Sequence, residues 1–242
     1  MELVQGLDKI AGFFNLRLTK KDYDVRHCSN YVKKIVDRCA KESMTDPLAM
    51  VGLCEATEYV LMAGVKGSFV ECGVWRGGSS MAIALTLQEK VSLRDIYMYD
   101  TFDGMTPPSE LDQRIRDGVP ASDLQDEYVE WKADIEIVKN NMISTSYPQK
   151  YVHYIKGSVL ETLLIEKPTK ISLLRLDTDW FDSTYASLVH LYPLLEPGGV
   201  LIVDDYNYFS GARIAVEKYF GENNIRMLLT RIGSVCVIGI KA

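Results

Sequence analysis

The chain has 242 residues, 47% of them apolar and 25% charged, which is material for one large α/β domain with a full core. A net charge of −6 without any Lys/Arg tract speaks against nucleic acid as the main partner. No apolar run approaches the roughly 18 residues of a membrane span. The opening "MELVQGLDKIAGFF" lacks the basic-then-apolar order of a secretory leader, and the five cysteines show no C-x-x-C spacing, so a reduced, cytoplasmic protein is expected.

In chain order, the first 65 residues lack strand signals. Residues 24–42 place Val25, Cys28, Val32, Ile35, Val36 and Cys39 on one helical stripe. Asp46-Pro47 is a cap and first-turn pair for a second apolar helix, which Gly64 can stop. The expectation is a helical N-terminal extension over 1–65 ahead of a second domain over 66–242.

From residue 68 short apolar runs alternate with helical stretches. "SFVECG", "DIYMYD" (95–100), "YVHYIKG" (151–157), "ISLLRLD" (171–177) and "GVLIVDDY" (199–206) read as five strands joined by right-handed crossovers, hence a mostly parallel sheet. The closing "IRMLLTRIGSVCVIGIKA" has no room for a crossover helix. Its two runs about Gly-Ser predict a hairpin that brings in one antiparallel strand. Between Asp100 and a helix expected from about Asp126 lie some 25 irregular residues. So long a loop suggests a lid over a site (101–125), with Phe102 and Met105 at its root.

"FVECGVWRGGSS" puts Glu71 at a strand's carboxyl end, then Gly73, the Gly77-Gly78 turn, and Ser79-Ser80 at a helix start. Ligands of open α/β sheets bind outside such strand ends, and glycines there admit a ligand against the backbone. The spacing is neither G-x-G-x-x-G nor a phosphate loop. Asp100, ending the second strand, can accept from ribose hydroxyls, and Glu71 from an ammonium. Acids at both strand ends suit a cationic adenosyl ligand better than a pyrophosphate.

Asp177 ends the fourth strand and Asp204-Asp205 the fifth. If these strands are neighbours their ends lie about 5 Å apart, and three carboxylates so placed call for a cation. Oxygen ligands without His or Cys suit Mg²⁺, or else Mn²⁺ or Ca²⁺. Asp182 with Ser183 and Thr184 reads as a helix N-cap group, whereas Asp179 stays open between catalytic contact and support.

Taken together and in order, "FVECGVWRGGSS", "YDTFDGM", "LRLDTDWFDST", "LYPLLEPGGVLIVDDY" and "GARIAVEKYF" resemble the macrocin O-methyltransferase family over roughly Val65 to Phe220. These are class I S-adenosylmethionine-dependent enzymes that methylate sugar hydroxyls of natural products. The resemblance implies a Rossmann-like, seven-stranded, mostly parallel sheet ordered 3-2-1-4-5-7-6. It implies cofactor contacts at Glu71, Gly73, Ser79, Asp100 and Ser158, to which Trp75 in the same turn is added. Asp177, Asp204 and Asp205 match the family's magnesium ligands, and the base is Asp177 itself or Asp179. Catechol-type relatives carry a lysine three residues past the fourth-strand aspartate. Trp180 stands there in this chain, which disfavours a phenolic acceptor. Trp180, Tyr206 and Tyr208, next to the acidic strand ends, are the candidates for acceptor contact. A Mg²⁺-dependent phosphatase and a binding protein without chemistry are the weaker readings. The expected partners are a glycosylated small molecule and a second copy of the chain, with neither nucleic acid nor membrane.

Overall fold

The computed structural model describes residues 27–124 and 131–242. Two helices come first, α1 (Asn30–Cys39) and α2 (Pro47–Met62). Ser29 caps α1 by accepting from the Val32 amide, and Asp46 caps α2 by accepting from Leu48 N at 2.8 Å. Gly64, at φ +69°, ends α2 in the left-handed conformation a glycine adopts freely. The stripe position Val25 lies outside the described residues.

β1 (Ser68–Cys72), α3 (Gly78–Glu89) and β2 (Ile96–Asp100) follow, then the long loop. After it come α4 (Ile135–Ser144), β3 (Val152–Lys156), α5 (Val159–Ile165), β4 (Ile171–Leu176), α6 (Phe181–Leu191) and β5 (Leu195–Val203). The helix expected from about Asp126 falls partly outside the described residues; the helix there that is described starts at Ile135, where Asp134 accepts from Glu136 N and supplies the cap. The chain closes with α7 (Ser210–Glu222), β6 (Thr230–Ile232) and β7 (Cys236–Ile240).

The seven strands form one sheet ordered β3-β2-β1-β4-β5-β7-β6. β1 to β5 are mutually parallel where paired, and β7 runs antiparallel to both β5 and β6. Period-two alternation divides the strand side chains between two helical layers. Phe69, Leu173, Val200 and Ile202 join the core built with α1 to α4. Val70, Leu174, Leu201 and Val203 join the core built with α5 to α7. The two N-terminal helices are thus packed into the same core as the sheet. Among the described residues no helix is long and apolar enough to cross a membrane.

Candidate active site

The carboxyl ends of β1, β2, β4 and β5 converge on a cavity of about 470 Å³. Gly73, Trp75 and Asp100 line one part of it, and Asp177, Asp179, Asp204 and Asp205 line another. A smaller adjoining space of about 60 Å³ reaches Gly157 and Ser158.

The β1 turn is shaped by steric necessity. Gly73 has φ +82°, and a Cβ there would sit 1.8 Å from the carbonyl oxygen of Asp177. The Asp177 amide in turn donates to Cys72 O at 2.8 Å, so the β1 and β4 ends touch backbone to backbone. Asp100 braces this turn from β2. Its Oδ2 accepts from Val74 N (2.6 Å) and Trp75 N (3.0 Å), and its Oδ1 from Phe102 N (2.7 Å). Trp75 (φ +46°), Phe102 (φ +49°) and Asp179 (φ +59°) are all left-handed without being glycine. Such conformations persist where surrounding contacts over-determine them, and here they all lie in turns around the cavity.

The serines of the first motif are engaged inside the protein. Ser80 Oγ donates to Glu71, Ser79 Oγ lies 3.2 Å from Thr45 Oγ1, and Gly78 N donates to Glu42 O. Neither Glu71 nor Ser79 lines the cavity, whereas Gly73, Trp75 and Asp100 do. Ser158 borders the smaller space and caps α5.

Arg175, 1% exposed and the penultimate residue of β4, organises the acids. Its Nη1 donates to Glu71 Oε1 and to Asp177 Oδ2, each at 2.7 Å. Its Nη2 donates to Thr45 Oγ1 at 2.7 Å and to Asp204 Oδ2. Burial alone would depress Arg175, but the charges of Asp177, Asp204 and Glu71 override it and hold the guanidinium protonated. Burial pushes Glu71 up to about 7 against the pull of Arg175 and Ser80. Burial, then the Asp177 charge, pushes Asp204 up to about 7 and Asp179 up to about 8. Asp205 is raised too, by burial and then by Asp179, with which it shares a hydrogen bond. Among the described residues, one cation is bonded within a group of five carboxylates, which leaves it short of positive charge.

The turn after β4 is held from the long loop. Asp112, 1% exposed, accepts from Phe181 N at 2.7 Å with Oδ1 and from Ser109 N and Oγ (2.6 and 2.8 Å) with Oδ2. It therefore caps α6, whose own N-cap residue, Trp180, offers no side-chain bond. This differs from the cap expected at Asp182, which is exposed in the first turn. Ser183 Oγ donates to the carbonyls of Thr178 and Trp180. Asp112→Ala is expected to cost about 1–2 kcal/mol in chemical denaturation. Asp182→Ala is expected to stay within about 0.5 kcal/mol. The reverse ranking would return the cap to Asp182.

Of the aromatic candidates, Tyr208 lines the cavity and the other two do not. Trp180 is 2% exposed; its Nε1 donates to Thr106 O at 2.8 Å and its ring meets Phe209 edge-on at 4.8 Å, forming a small core beneath the loop. Tyr206 turns toward α7, its ring under the Arg213 guanidinium and its hydroxyl 3.4 Å from Glu217. The cavity also borrows Met44, Thr45 and Asp46 from the α1–α2 loop and Ser234 and Val235 from the β6–β7 turn. Sequence reasoning missed Arg175, Thr45 and Asp112. Only Arg175 left a signal, as a cation inside the apolar run "ISLLRL", where a buried strand requires it to be paired.

Sheet order and acid-ended central strands together define a class I methyltransferase fold. The solved O-methyltransferase NovP superposes with a TM-score of 0.79 at 23% identity, covering 88% of this chain and 98% of that one. The calicheamicin methyltransferase CalS11 does so with a TM-score of 0.62 at 18% identity, over 93% and 99%. The family model described as Macrocin-O-methyltransferase (TylF) matches residues 26–240, and the chain belongs to that family. A tetracenomycin-C 4'-O-methyltransferase of Streptomyces olivaceus, whose substrate carries a dimethoxy-rhamnosyl group, is 33% identical over 173 residues. The mycinamicin III 3''-O-methyltransferase of Micromonospora griseorubida is 29% identical over 174 residues, and the demethyldecarbamoylnovobiocin O-methyltransferase of Streptomyces niveus 30% over 166. These matches take in 69%, 72% and 68% of this chain and 63%, 68% and 62% of the respective relatives, so the chain spans under two thirds of the first relative's length.

Proposed function

We propose that the chain transfers a methyl group from S-adenosylmethionine to a hydroxyl on the sugar of a glycosylated natural product, with Mg²⁺ or Mn²⁺ as its metal. The observation that carries this reading is the oxygen-only cluster of Asp177, Asp204 and Asp205. One ligand oxygen from each lies within 4.8 Å of the others, on the wall of the cavity that the Gly73 turn enters. Hard oxygen donors without nitrogen or sulfur fit a hard divalent cation. The raised carboxylates fit it as well, because among the described residues Arg175 is the one cation bonded to the cluster. The three relatives, each an O-methyltransferase by name, support the acceptor class.

The Gly73 turn, Asp100 and Ser158 are the residues to hold the cofactor, and Asp177, Asp204 and Asp205 the cation. When bound, the cofactor supplies a methyl on a sulfonium and the cation supplies charge that favours an ionised hydroxyl. The residues' own part is orientation and proton removal. With Asp177, Asp204 and Asp205 given to the cation, Asp179, beside them on the cavity wall, is the carboxylate to take the acceptor proton. Tyr208 and Met105 offer apolar surface against which a sugar ring or aglycone can lie, fixing the hydroxyl at attack distance.

Radiolabelled S-adenosylmethionine with a panel of glycosylated macrolides and aminocoumarins tests this. Label is expected to move to an acceptor, to stop with EDTA, to resume with Mg²⁺, and to fail in Asp177→Asn. Transfer indifferent to both EDTA and Asp177→Asn would remove the metal from the reading. No cofactor binding by calorimetry would remove the reading altogether.

A further inference from the structure

We propose that Arg175 is a positioning residue: its guanidinium fork, anchored by Thr45, sets the spacing of Asp177 and Asp204 and thereby the affinity of the acid cluster for a divalent cation. This rests on the functional reading above and adds a residue and a segment to it.

The fork draws on four separate pieces of chain. Glu71 comes from β1, directly opposite Arg175 in the strand register. Asp177 follows β4, Asp204 follows β5, and Thr45 sits between α1 and α2, 130 residues away in sequence. Asp177 and Asp204 both use Oδ2 toward the fork. Their Oδ1 atoms carry no hydrogen bond among the described residues, so one oxygen of each remains available. A guanidinium can do this because its donors are fixed in one plane, whereas an ammonium is a single point with rotating donors. Left unlinked, Asp177 and Asp204 repel each other and separate. Thr45 matters because it fixes the other side of Nη2 and also reaches Asp204 Oδ2 at 3.5 Å and Ser79 at 3.2 Å. The α1–α2 loop thus sets the site's geometry without contributing a ligand.

The test uses Mn²⁺ alone, titrated calorimetrically into wild-type, Arg175→Lys and Thr45→Val proteins, each with its thermal midpoint and its affinity for S-adenosylmethionine measured in parallel. Arg175→Lys keeps the charge and loses the fork; Mn²⁺ binding is expected to weaken about 10–100-fold, the range found for groups that orient metal ligands. Thr45→Val removes the charge-assisted hydrogen bond that Nη2 donates, together with the hydroxyl's contacts to Asp204 and Ser79, and is expected to weaken it about 2–10-fold, with cofactor affinity unchanged in both. At saturating Mn²⁺ the Thr45→Val turnover is expected to return to within about twofold of wild type, a rescue that general destabilisation would not give. Unchanged Mn²⁺ affinity in both variants overturns the inference while leaving the functional reading standing. Should Arg175→Lys not fold, unchanged affinity in Thr45→Val alone overturns it. If wild-type protein binds no Mn²⁺, the metal reading falls and this inference with it.

Discussion

Gly73→Ala is expected to lose about 4 kcal/mol or more of stability and all measurable cofactor binding. The new Cβ would sit 1.8 Å from Asp177 O and 2.6 Å from its carbonyl carbon, and both are backbone atoms at the end of a central strand. No side chain can swing aside to relieve that contact. The φ of +82° adds strain of its own. Gly64→Ala is the control: φ is +69°, but nothing lies within 4 Å of the added Cβ, so about 1–2 kcal/mol of left-handed strain is the whole cost. Thermal unfolding with and without S-adenosylmethionine separates the two. Equal losses would mean that handedness, not the approach of the β4 end, dictates glycine at position 73.

Asp179→Asn is expected to lower kcat about 10²–10⁴-fold while cofactor affinity stays within a few-fold. The residue lines the cavity beside Asp177, in a left-handed turn fixed by Asp112 through Phe181 N and by the Trp180 indole through Thr106 O. Asparagine fills the same space and tolerates the left-handed region, so geometry survives and only proton acceptance is lost. Single-turnover methyl transfer at saturating metal is the measurement. A fall of less than about tenfold would move the base to Asp177.

Most of the frame is legible in the sequence because its signals are local. An apolar run ending in an acid or glycine marks each of the five parallel strands, which is why the order of residues alone suffices to place β1, β2, β4 and β5 with their acids. The order of the sheet comes instead from the resemblance to a family. What stays hidden depends on contacts between distant segments. Asp112 caps a helix 69 residues further on, from a loop whose composition gives no hint of it. Trp180 and Tyr206 show the ambiguity of aromatic residues: a ring next to a strand-end aspartate can face the cavity or the core with equal sequence credentials, and here both turn away. Glu71 reads as a ligand contact because its strand position allows it, but the pairing of Arg175 opposite it is decided by register. Ser79 and Ser80 look like free donors at a helix start until the α1–α2 loop is seen to occupy that end.

The walls of the cavity and its acids come from different stretches of chain. Met44 to Asp46, Gly104 with Met105, Tyr208, and the Ser234–Val235 turn form much of the wall, while the acids stand at the ends of β4 and β5. Asp46 fastens two of these wall segments together, capping α2 while accepting from Ser234 N at 3.1 Å. Under the proposed function, a lineage could therefore exchange wall residues to take a new acceptor while the acids at the strand ends stay as they are. In such an architecture acceptor preference can drift quickly while the chemistry hardly moves.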